Sequence, residues 1–206
     1  MAGLSLIRFM FDQNTWNQVG QLHAENLDRG FLATLGPKFL ALLYRAIDET
    51  RHAVLFVERN EQGDVIGFVA GAAQLRPIYR RMFRFWPRLL VALLPIISSP
   101  THMWRVCEIF LYGLRGQSLQ NMPDFELLSI AIAPRARGTG VAENLYENLV
   151  SYCRANNVAK FKITVGKDLM AAHRFYTRMG AEVVGEVEVH RGEKSAVYVH
   201  DINSRP

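Results

Sequence analysis

The chain has 206 residues, of which 50% are hydrophobic, enough to bury one sizeable core. Its formal net charge of +5 favours anionic partners, a class that includes phosphate-bearing cofactors, nucleic acids and phospholipid surfaces, without choosing among them. Two scattered cysteines, Cys107 and Cys153, exclude a disulfide framework and a zinc site with paired ligands, so we expect a cytoplasmic protein without a metal.

The N-terminal segment does not have the pattern of a secretion signal. Arg8 and Asp12 interrupt its apolar run, so we expect the mature chain to begin at Met1. The longest apolar run, residues 89–97, contains Pro95 and is far shorter than the roughly 20 residues that span a bilayer. No repeat, low-complexity tract or linker marks a boundary, which predicts one domain over residues 1–206.

The first part of the chain predicts three strands and two helices. The strands are Leu6–Phe11, His52–Glu58 and Asp64–Ala72, the last two joined by a turn at Gln62-Gly63. Apolar residues at helical spacing predict two amphipathic helices between the first two strands. These residues are Trp16, Val19, Leu22 and His23 in the first helix, and Phe39, Leu42, Leu43 and Ala46 in the second.

Residues 74–122 form a basic and apolar block after the third strand. The block holds seven arginines and a single acid, Glu108. Arg80, Arg84 and Arg88 alternate with aromatic and aliphatic residues, a pattern typical of a basic amphipathic helix. The block could lie on an anionic membrane surface, form a homodimer interface, or add to the core with its arginines in solvent. It carries no recognised nucleic-acid-binding motif, so we do not expect nucleic acid as a partner.

The C-terminal part alternates strands with helices, which predicts an α/β fold with a mixed sheet. The expected elements are strand Phe125–Ala133, a helix from about Gly140 to Asn156, strand Phe161–Val165, helix Asp168–Met179, and strands Ala181–Val189 and Ser195–His200. The basic block therefore lies between the third and fourth strands, as an insertion.

A glycine-containing turn joins the fourth strand to the following helix. Gly138 and Gly140 precede the helix, whose first N–H groups have no helical acceptor and whose dipole is positive at that end. Such a turn is a site for a phosphate group. Glu143 stands where a third glycine of a dinucleotide-binding loop would be, and no Gly-Lys-Ser/Thr ending is present. Rossmann and P-loop sites are thereby excluded.

Two motifs resemble those of the GNAT acetyltransferase superfamily. Arg135-x-x-Gly138-x-Gly140 is similar to its acyl-CoA signature, Arg/Gln-x-x-Gly-x-Gly/Ala. Ala172-x-x-Phe-Tyr-x-x-x-Gly180 is similar to its Ala-x-x-Phe-Tyr-x-x-x-Gly-Phe element. Two departures are Leu169, where members often carry asparagine, and Ala181 in place of phenylalanine. The resemblance covers residues 124–200 and implies a GNAT acyl-CoA N-acyltransferase fold.

The resemblance implies that acetyl-CoA is the acyl donor and that a small amine is the acceptor. The expected contacts with acetyl-CoA come from the turn and from the backbone of the fourth strand. They are Arg135, Arg137, Gly138, Thr139 and Gly140 in the turn, and Ile130 and Ile132 in the strand. Simple alternation along that strand predicts that Glu126, Leu128, Ile130 and Ile132 share one face.

The resemblance also implies two catalytic residues. Tyr176 is the expected general acid for the cofactor sulfur, although its helical spacing with Phe175 and Met179 also fits a core position. Glu126 is the expected general base, with a solvated or arginine-paired carboxylate as the alternative. We expect His173 at the surface without a catalytic role, and His23 and His52 as ordinary core or surface residues.

These patterns lead to two functional hypotheses. The first is an N-acetyltransferase that transfers acetyl directly, in a ternary complex, to a small or nucleotide-linked amine such as an amino sugar, with residues 74–122 covering the acceptor. The second is a non-catalytic acyl-CoA-binding module that docks on a membrane or a partner through residues 74–122.

Overall fold

The computed structural model describes residues 11–27, 31–97, 122–190 and 193–203. Nearly all of the expected first strand, Leu6–Phe11, and residues 98–121 of the expected insertion lie outside these ranges. The helices are α1 (Gln13–Asn26), α2 (Phe31–Thr34), α3 (Gly36–Glu49), α4 (Leu75–Phe83), α5 (Trp86–Ile97), α6 (Val141–Ala155) and α7 (Met170–Arg178). The strands are β1 (Ala53–Arg59), β2 (Val65–Ala72), β3 (Phe125–Ile132), β4 (Lys160–Gly166), β5 (Glu182–His190) and β6 (Glu193–Asp201).

The strands form one six-stranded sheet in the order β1-β2-β3-β4-β6-β5. All neighbouring pairs are antiparallel except β3 and β4, which run parallel. The parallel pair is joined by the α6 crossover, as the alternation of strands and helices in the sequence requires. The predicted mixed α/β sheet is therefore confirmed.

Helices cover both faces of the sheet because successive strand residues point to opposite sides. On β2, Phe68 packs with α1, α3, α4 and α5, whereas its neighbour Val69 packs with α6. The first helical layer therefore contains the two helices predicted near the N-terminus and the start of the basic block. The second layer contains α6 and α7, which adjoin the glycine turn.

The first layer is held together by buried polar contacts as well as apolar packing. His23 Nδ1 lies 2.6 Å from the Tyr44 hydroxyl, which lies 2.8 Å from the Ser129 hydroxyl on β3. Burial lowers the pKa of His23 to about 4, so the ring is neutral at physiological pH. His23 is thus a core histidine with a partner, one of the two positions that the sequence left open.

The basic block begins with two helices rather than the single helix that the sequence predicted. The α-helical hydrogen bonding is interrupted at Arg84 and Phe85, between α4 and α5, where the backbone N–H groups bond three residues back, to Arg81 and Met82. Pro87 explains the break, because it has no N–H to donate to the carbonyl of Phe83 and its ring would clash with that carbonyl in a continuous helix. In the first turn of α5 that N–H is not required, and proline is tolerated there.

Candidate active site

The turn between β3 and α6 has the geometry that the sequence predicted. Gly138 and Gly140 have φ angles of 75° and 86°, values that favour glycine, and a Cβ at either position would meet no atom within 4 Å. Gly140 ends the turn directly before α6, and no side chain caps the helix. The first N–H groups of α6 are therefore free of side-chain caps and border open space.

Polar side chains brace this turn from within. The Thr139 hydroxyl donates a hydrogen bond to the Ala136 carbonyl at 2.7 Å, so it stabilises the loop. Arg137 donates to the Ile132 carbonyl at 3.3 Å and to Asn26 Oδ1, at the end of α1, at 2.8 Å. The guanidinium of Arg135 lies 3.8 Å from the Asp64 carboxylate in the β1–β2 turn. Both arginines flank the turn and contact protein acceptors.

One carboxylate lies within the first turn of α6 and is neutralised by α7. Glu143 accepts a hydrogen bond from Arg178, whose guanidinium also lies 5.7 Å from the centre of the Phe175 ring. A carboxylate at a helix N-terminus would otherwise repel a bound phosphate. The ion pair reduces that repulsion and ties the end of α7 to the start of α6.

A gap opens between β3 and β4 on the way to the glycine turn. The two parallel strands pair only over Phe125–Leu127 and Phe161–Ile163. Beyond these residues β3 continues to Ile132 beside β2, and β4 continues to Gly166 beside β6. Backbone groups along the facing edges are therefore available to an extended ligand. Ile130 and Ile132, the expected backbone contacts, lie on the β3 side of this gap.

A β-bulge in β3 overturns the predicted alternation of its side chains. Ser129 pairs with Ala70 and Leu127 pairs with Gly71, so Leu128 is the extra residue. An extra residue reverses the facing of everything that follows it. Ile130 and Ile132 consequently pack with α6, together with Leu127. The prediction that Glu126 shares a face with Ile130 and Ile132 is wrong.

Glu126 instead points away from the α6 layer, into a small polar cluster. Its Oε1 accepts a hydrogen bond from the Thr164 hydroxyl at 3.2 Å, and its Oε2 lies 3.9 Å from Lys162 Nζ. Burial raises the pKa of Glu126, while the positive charge of Lys162 and the Thr164 hydrogen bond partly offset that increase. A carboxyl group with a raised pKa is a better proton acceptor than an ordinary surface carboxylate.

The basic block contributes to this cluster through α4. Tyr79 is 8% exposed, and its pKa is raised by burial first and then by the negative charge of Glu126. Sequence reasoning missed Tyr79, Lys162 and Thr164. The two β4 residues could have been found, because Phe161, Ile163 and Val165 are buried in the α6 layer and alternation sends their neighbours to the other face.

Tyr176 lies in the aromatic core between α6, α7 and β6. Its side chain is 5% exposed, and its ring centre is 6.2 Å from that of Tyr146 and 6.1 Å from that of Tyr198. Burial raises the pKa of Tyr176, so its hydroxyl remains protonated. No fully buried side-chain oxygen among the described residues lacks a partner, and no hydrogen bond is made by this hydroxyl within them. The hydroxyl therefore retains some contact with solvent.

His173 is more enclosed than the sequence indicated. Its Nδ1 lies 2.8 Å from the Tyr198 hydroxyl, and its Nε2 lies 3.1 Å from the Gly166 carbonyl. A carbonyl can only accept, so Nε2 carries the proton and Tyr198 donates to Nδ1. The ring is half-buried rather than fully exposed, because three residues at about 100° each place His173 only about 60° from Tyr176 around the helix.

In the described ranges, no three histidine, cysteine or carboxylate side chains lie close enough together to hold a metal ion. Two of the polar groups described above lie at opposite ends of β3: the glycine turn at its C-terminal end and the Glu126 cluster at its N-terminal end.

Comparison with known proteins agrees with this architecture. The chain is similar in structure to an N-acetyltransferase from Staphylococcus aureus Mu50, with a TM-score of 0.59 and 14% identity over 95% of this chain and 97% of that one. It is also similar to an aminoglycoside 6'-acetyltransferase type Ii, with a TM-score of 0.59 and 12% identity over 96% and 98% of the two chains. An aminoglycoside 6'-N-acetyltransferase complexed with coenzyme A gives a TM-score of 0.57 and 10% identity over 96% and 98%.

At sequence identities of 10% to 14%, these structural similarities establish a shared fold and nothing more. No curated protein matches the chain in sequence. The family model described as the acetyltransferase (GNAT) family, however, matches residues 16–181, from α1 to the residue before β5. That match covers most of the chain, including both ends of β3. The chain therefore belongs to the acetyltransferase (GNAT) family.

Proposed function

We propose that the protein is an acetyl-CoA-dependent N-acetyltransferase that acts on the primary amine of a small or nucleotide-linked acceptor. The observation that carries this proposal is the open glycine turn, which lies at the end of the gap between β3 and β4. The turn can bind a pyrophosphate, and the unpaired edge of β3 that leads to it can bind an extended arm. Acetyl-CoA has both of these parts.

The turn provides the pyrophosphate site of this proposal. Gly138 and Gly140 let a phosphate approach the backbone, and the first N–H groups of α6 donate to it. Arg135 and Arg137 stand beside the turn and supply positive charge. The neighbouring edge of β3, at Ile130 and Ile132, offers backbone groups to the pantetheine arm. One structural relative is named as a complex with coenzyme A, which supports this placement.

Proton transfer falls to two side chains on opposite faces of the sheet. Bound acetyl-CoA supplies an acetyl thioester, whose carbon–sulfur bond breaks as the carbon–nitrogen bond to the amine forms. Glu126 accepts the proton that the amine loses, directly or through a water molecule. Tyr176 donates its proton to the departing sulfur. The raised pKa of Glu126 supports its role, because a carboxylate with a raised pKa accepts a proton more readily than an ordinary one.

The acceptor class follows from the Glu126 cluster. Tyr79, Lys162 and Thr164 surround the carboxylate with groups that can hydrogen-bond a polar acceptor. A small polar amine, such as an amino sugar, suits this cluster. Two structural relatives are named aminoglycoside acetyltransferases, which supports the same broad class.

Several parts of the proposal extend beyond the site. We predict one domain over residues 1–206, a cytoplasmic location, and no nucleic acid as a partner. A peripheral membrane contact through residues 74–122 is a further prediction, and a homodimer through the same residues is its alternative. The alternative function is a non-catalytic acyl-CoA-binding module that uses the same residues to dock.

Thiol release from acetyl-CoA, measured across a panel of amines that includes amino sugars and nucleotide-linked amines, tests the function. We expect at least one amine to accelerate thiol release. The Glu126→Gln variant tests the proposed base. It keeps the size of the side chain and should bind acetyl-CoA normally. Its turnover with the best amine should fall by about 10² to 10⁴, the usual contribution of a positioned base.

Two results would contradict the proposal. Tight acetyl-CoA binding without release for any amine would favour the non-catalytic module. Full turnover in Glu126→Gln would remove Glu126 as the base and leave that task to water.

A further inference from the structure

The outer surface of α4 and α5 combines exposed apolar side chains with arginines. We call this surface the α4–α5 face. Its large apolar residues on α5 are between 51% and 60% exposed: Trp86, Leu90, Val91 and Leu94. Its basic residues are also exposed: Arg76, Arg80, Arg84 and Arg88. Apolar residues of this size rarely cluster in solvent without a partner.

The exposed apolar side chains form a continuous stripe along α5. Trp86, Leu90 and Leu94 recur at intervals of four residues, which places them on one side of the helix, and Val91 lies beside them. The opposite side of α5 is occupied, because Leu89 and Ala92 are buried in the first layer. The stripe cannot therefore turn inwards without losing those contacts.

The helix before it is fixed in the same way. Ile78 and Met82 of α4 are each 1% exposed. The Arg81 guanidinium donates to the Glu49 carboxylate on α3 at 2.8 Å, and Arg45 of α3 lies 4.1 Å from the centre of the Phe85 ring. These contacts anchor both helices and determine which side of each faces outwards.

Among the described residues, the outward arginines have no acidic partner. Four arginines recur every four residues: Arg76 and Arg80 on α4, Arg84 directly after it, and Arg88 on α5. None of these four forms an ion pair with any carboxylate that the structure describes, whereas the inward Arg81 does. No acidic residue occurs between positions 75 and 97. The face therefore has a uniform positive charge.

Aromatic and aliphatic residues flanked by arginines suit the interface of an anionic bilayer. We propose that the α4–α5 face docks the protein on an anionic phospholipid surface. Trp86, Leu90 and Leu94 enter the headgroup region, and the arginines bind lipid phosphates. The helix lies along the surface, because the 12 residues of α5 extend only about 18 Å against a hydrocarbon core of about 30 Å. None of the described helices is long and apolar enough to cross a bilayer.

Charge argues for lipid over a second copy of the chain. In a twofold dimer each patch meets its own copy, so two rows of arginines would face each other. Juxtaposed like charges are strongly unfavourable at an interface. A phosphate-rich surface provides the opposite charge and receives the apolar stripe as well. Docking would also hold α4, which carries Tyr79 beside Glu126, next to the membrane.

Vesicle sedimentation of the full chain tests this proposal. The probes are vesicles of phosphatidylcholine alone and vesicles of phosphatidylcholine mixed with phosphatidylserine. We expect the protein to sediment with the mixed vesicles, and less so as salt is raised. Each arginine near such a surface contributes about fivefold to partitioning, so Arg80→Glu with Arg84→Glu should reduce it by about 25-fold or more.

Matched control variants show whether vesicle binding depends on the α4–α5 face or only on the overall charge and hydrophobicity of the protein. Arg51→Glu with Arg174→Glu changes the net charge equally at exposed sites elsewhere and should leave partitioning much closer to wild type. Leu90→Ala with Leu94→Ala should also weaken binding, whereas Val183→Ala with Val184→Ala, which removes side chains 58% and 50% exposed on β5, should not.

Three outcomes would overturn the proposal. The first is no difference between the two kinds of vesicle, or equal losses in the variants and their controls. The second is a dimer, seen by light scattering, that Leu90→Ala with Leu94→Ala dissociates, because a second copy would then occupy the face. The third is no vesicle binding together with a lowered melting temperature in that variant, because residues 98–121 of the chain itself would then cover the face.

Discussion

The two ends of strand β3 carry candidate sites of different kinds. At the C-terminal end, the turn at Gly138 and Gly140 exposes backbone N–H groups to open space. The turn depends on glycine because a side chain at either position would occupy that space. At the N-terminal end, Glu126 depends on side chains from β4 and α4 for its hydrogen bond, its ion pair and its raised pKa. A backbone site is determined by a few adjacent residues, whereas a side-chain site is assembled from distant ones.

Blocking the backbone site should give the largest effect. We expect Gly138→Val to abolish acetyl-CoA binding, because a branched side chain would occupy the space in front of the turn and strain a φ of 75°. Isothermal titration calorimetry measures the binding, and a melting curve confirms that the variant is folded.

Gly63 provides a matched control for backbone strain. Its φ is 85° and its missing side chain also faces open space, but it lies in the β1–β2 turn. Gly63→Val should lose a similar amount of stability, about 1 to 2 kcal/mol, and still bind acetyl-CoA. Normal binding in a folded Gly138→Val protein would show that the turn is not the phosphate site.

This contrast explains which features the sequence could predict. The glycine turn lies within one short segment, so its residue types and spacing were sufficient. The surroundings of Glu126 were not, because Tyr79 is 47 positions away and the bulge at Leu128 leaves no mark in the apolar pattern. A single extra residue reversed the predicted facing of Ile130 and Ile132.

The elements themselves were more predictable than their contacts. Long amphipathic stretches gave α1, α3 and α6 nearly as observed, because burial of one helical face dominates their stability. The division of the basic block into α4 and α5 was missed, although Pro87 marked the place. The short helix α2 was also missed, since four residues give no periodicity.

Tyr176 provides the next test, because its hydroxyl serves the proposed chemistry while its ring serves the core. We expect Tyr176→Phe to keep the fold and acetyl-CoA affinity but to slow turnover by about 10² to 10⁴. The loss should appear in kcat, since the proton is needed as the carbon–sulfur bond breaks and not while the substrates bind. Acceptor-dependent thiol release measures the effect.

Tyr198→Phe is the matched control for this prediction. The Tyr198 hydroxyl also lies in the α7 layer, but it donates to His173 Nδ1. Its removal should cost about 0.5 to 1.5 kcal/mol of stability and leave turnover per folded molecule nearly unchanged. If Tyr176→Phe behaves in the same way as Tyr198→Phe, Tyr176 is a structural residue and the sulfur takes its proton from elsewhere.

The smallest effect should come from Lys162, which modifies the Glu126 site through charge alone. Lys162 Nζ lies 3.9 Å from Glu126 Oε2, and its charge lowers the pKa of Glu126 against the larger opposing effect of burial. Replacing Lys162 with Met should therefore raise the pKa of Glu126 further. Because the proposed base acts only when ionised, activity should fall as the pH drops through that pKa. The acidic limb of the kcat/KM profile should accordingly move to higher pH in Lys162→Met.

The sign of the accompanying stability change follows from the same shift. A folded-state pKa above the unfolded value of 4.5 means that the folded protein binds the Glu126 proton more tightly than the unfolded chain does. Stability is then lost as the pH rises from the unfolded pKa through the folded one, and Lys162→Met should widen that window upwards.

Lys162→Arg keeps the charge and should restore both the limb and the stability profile. At a pH above the acidic limbs of both proteins, the kcat/KM of Lys162→Met should approach that of wild type. A uniform loss of activity at every pH, without movement of the limb, would mean that Lys162 supports the shape of the site and does not adjust the charge of Glu126.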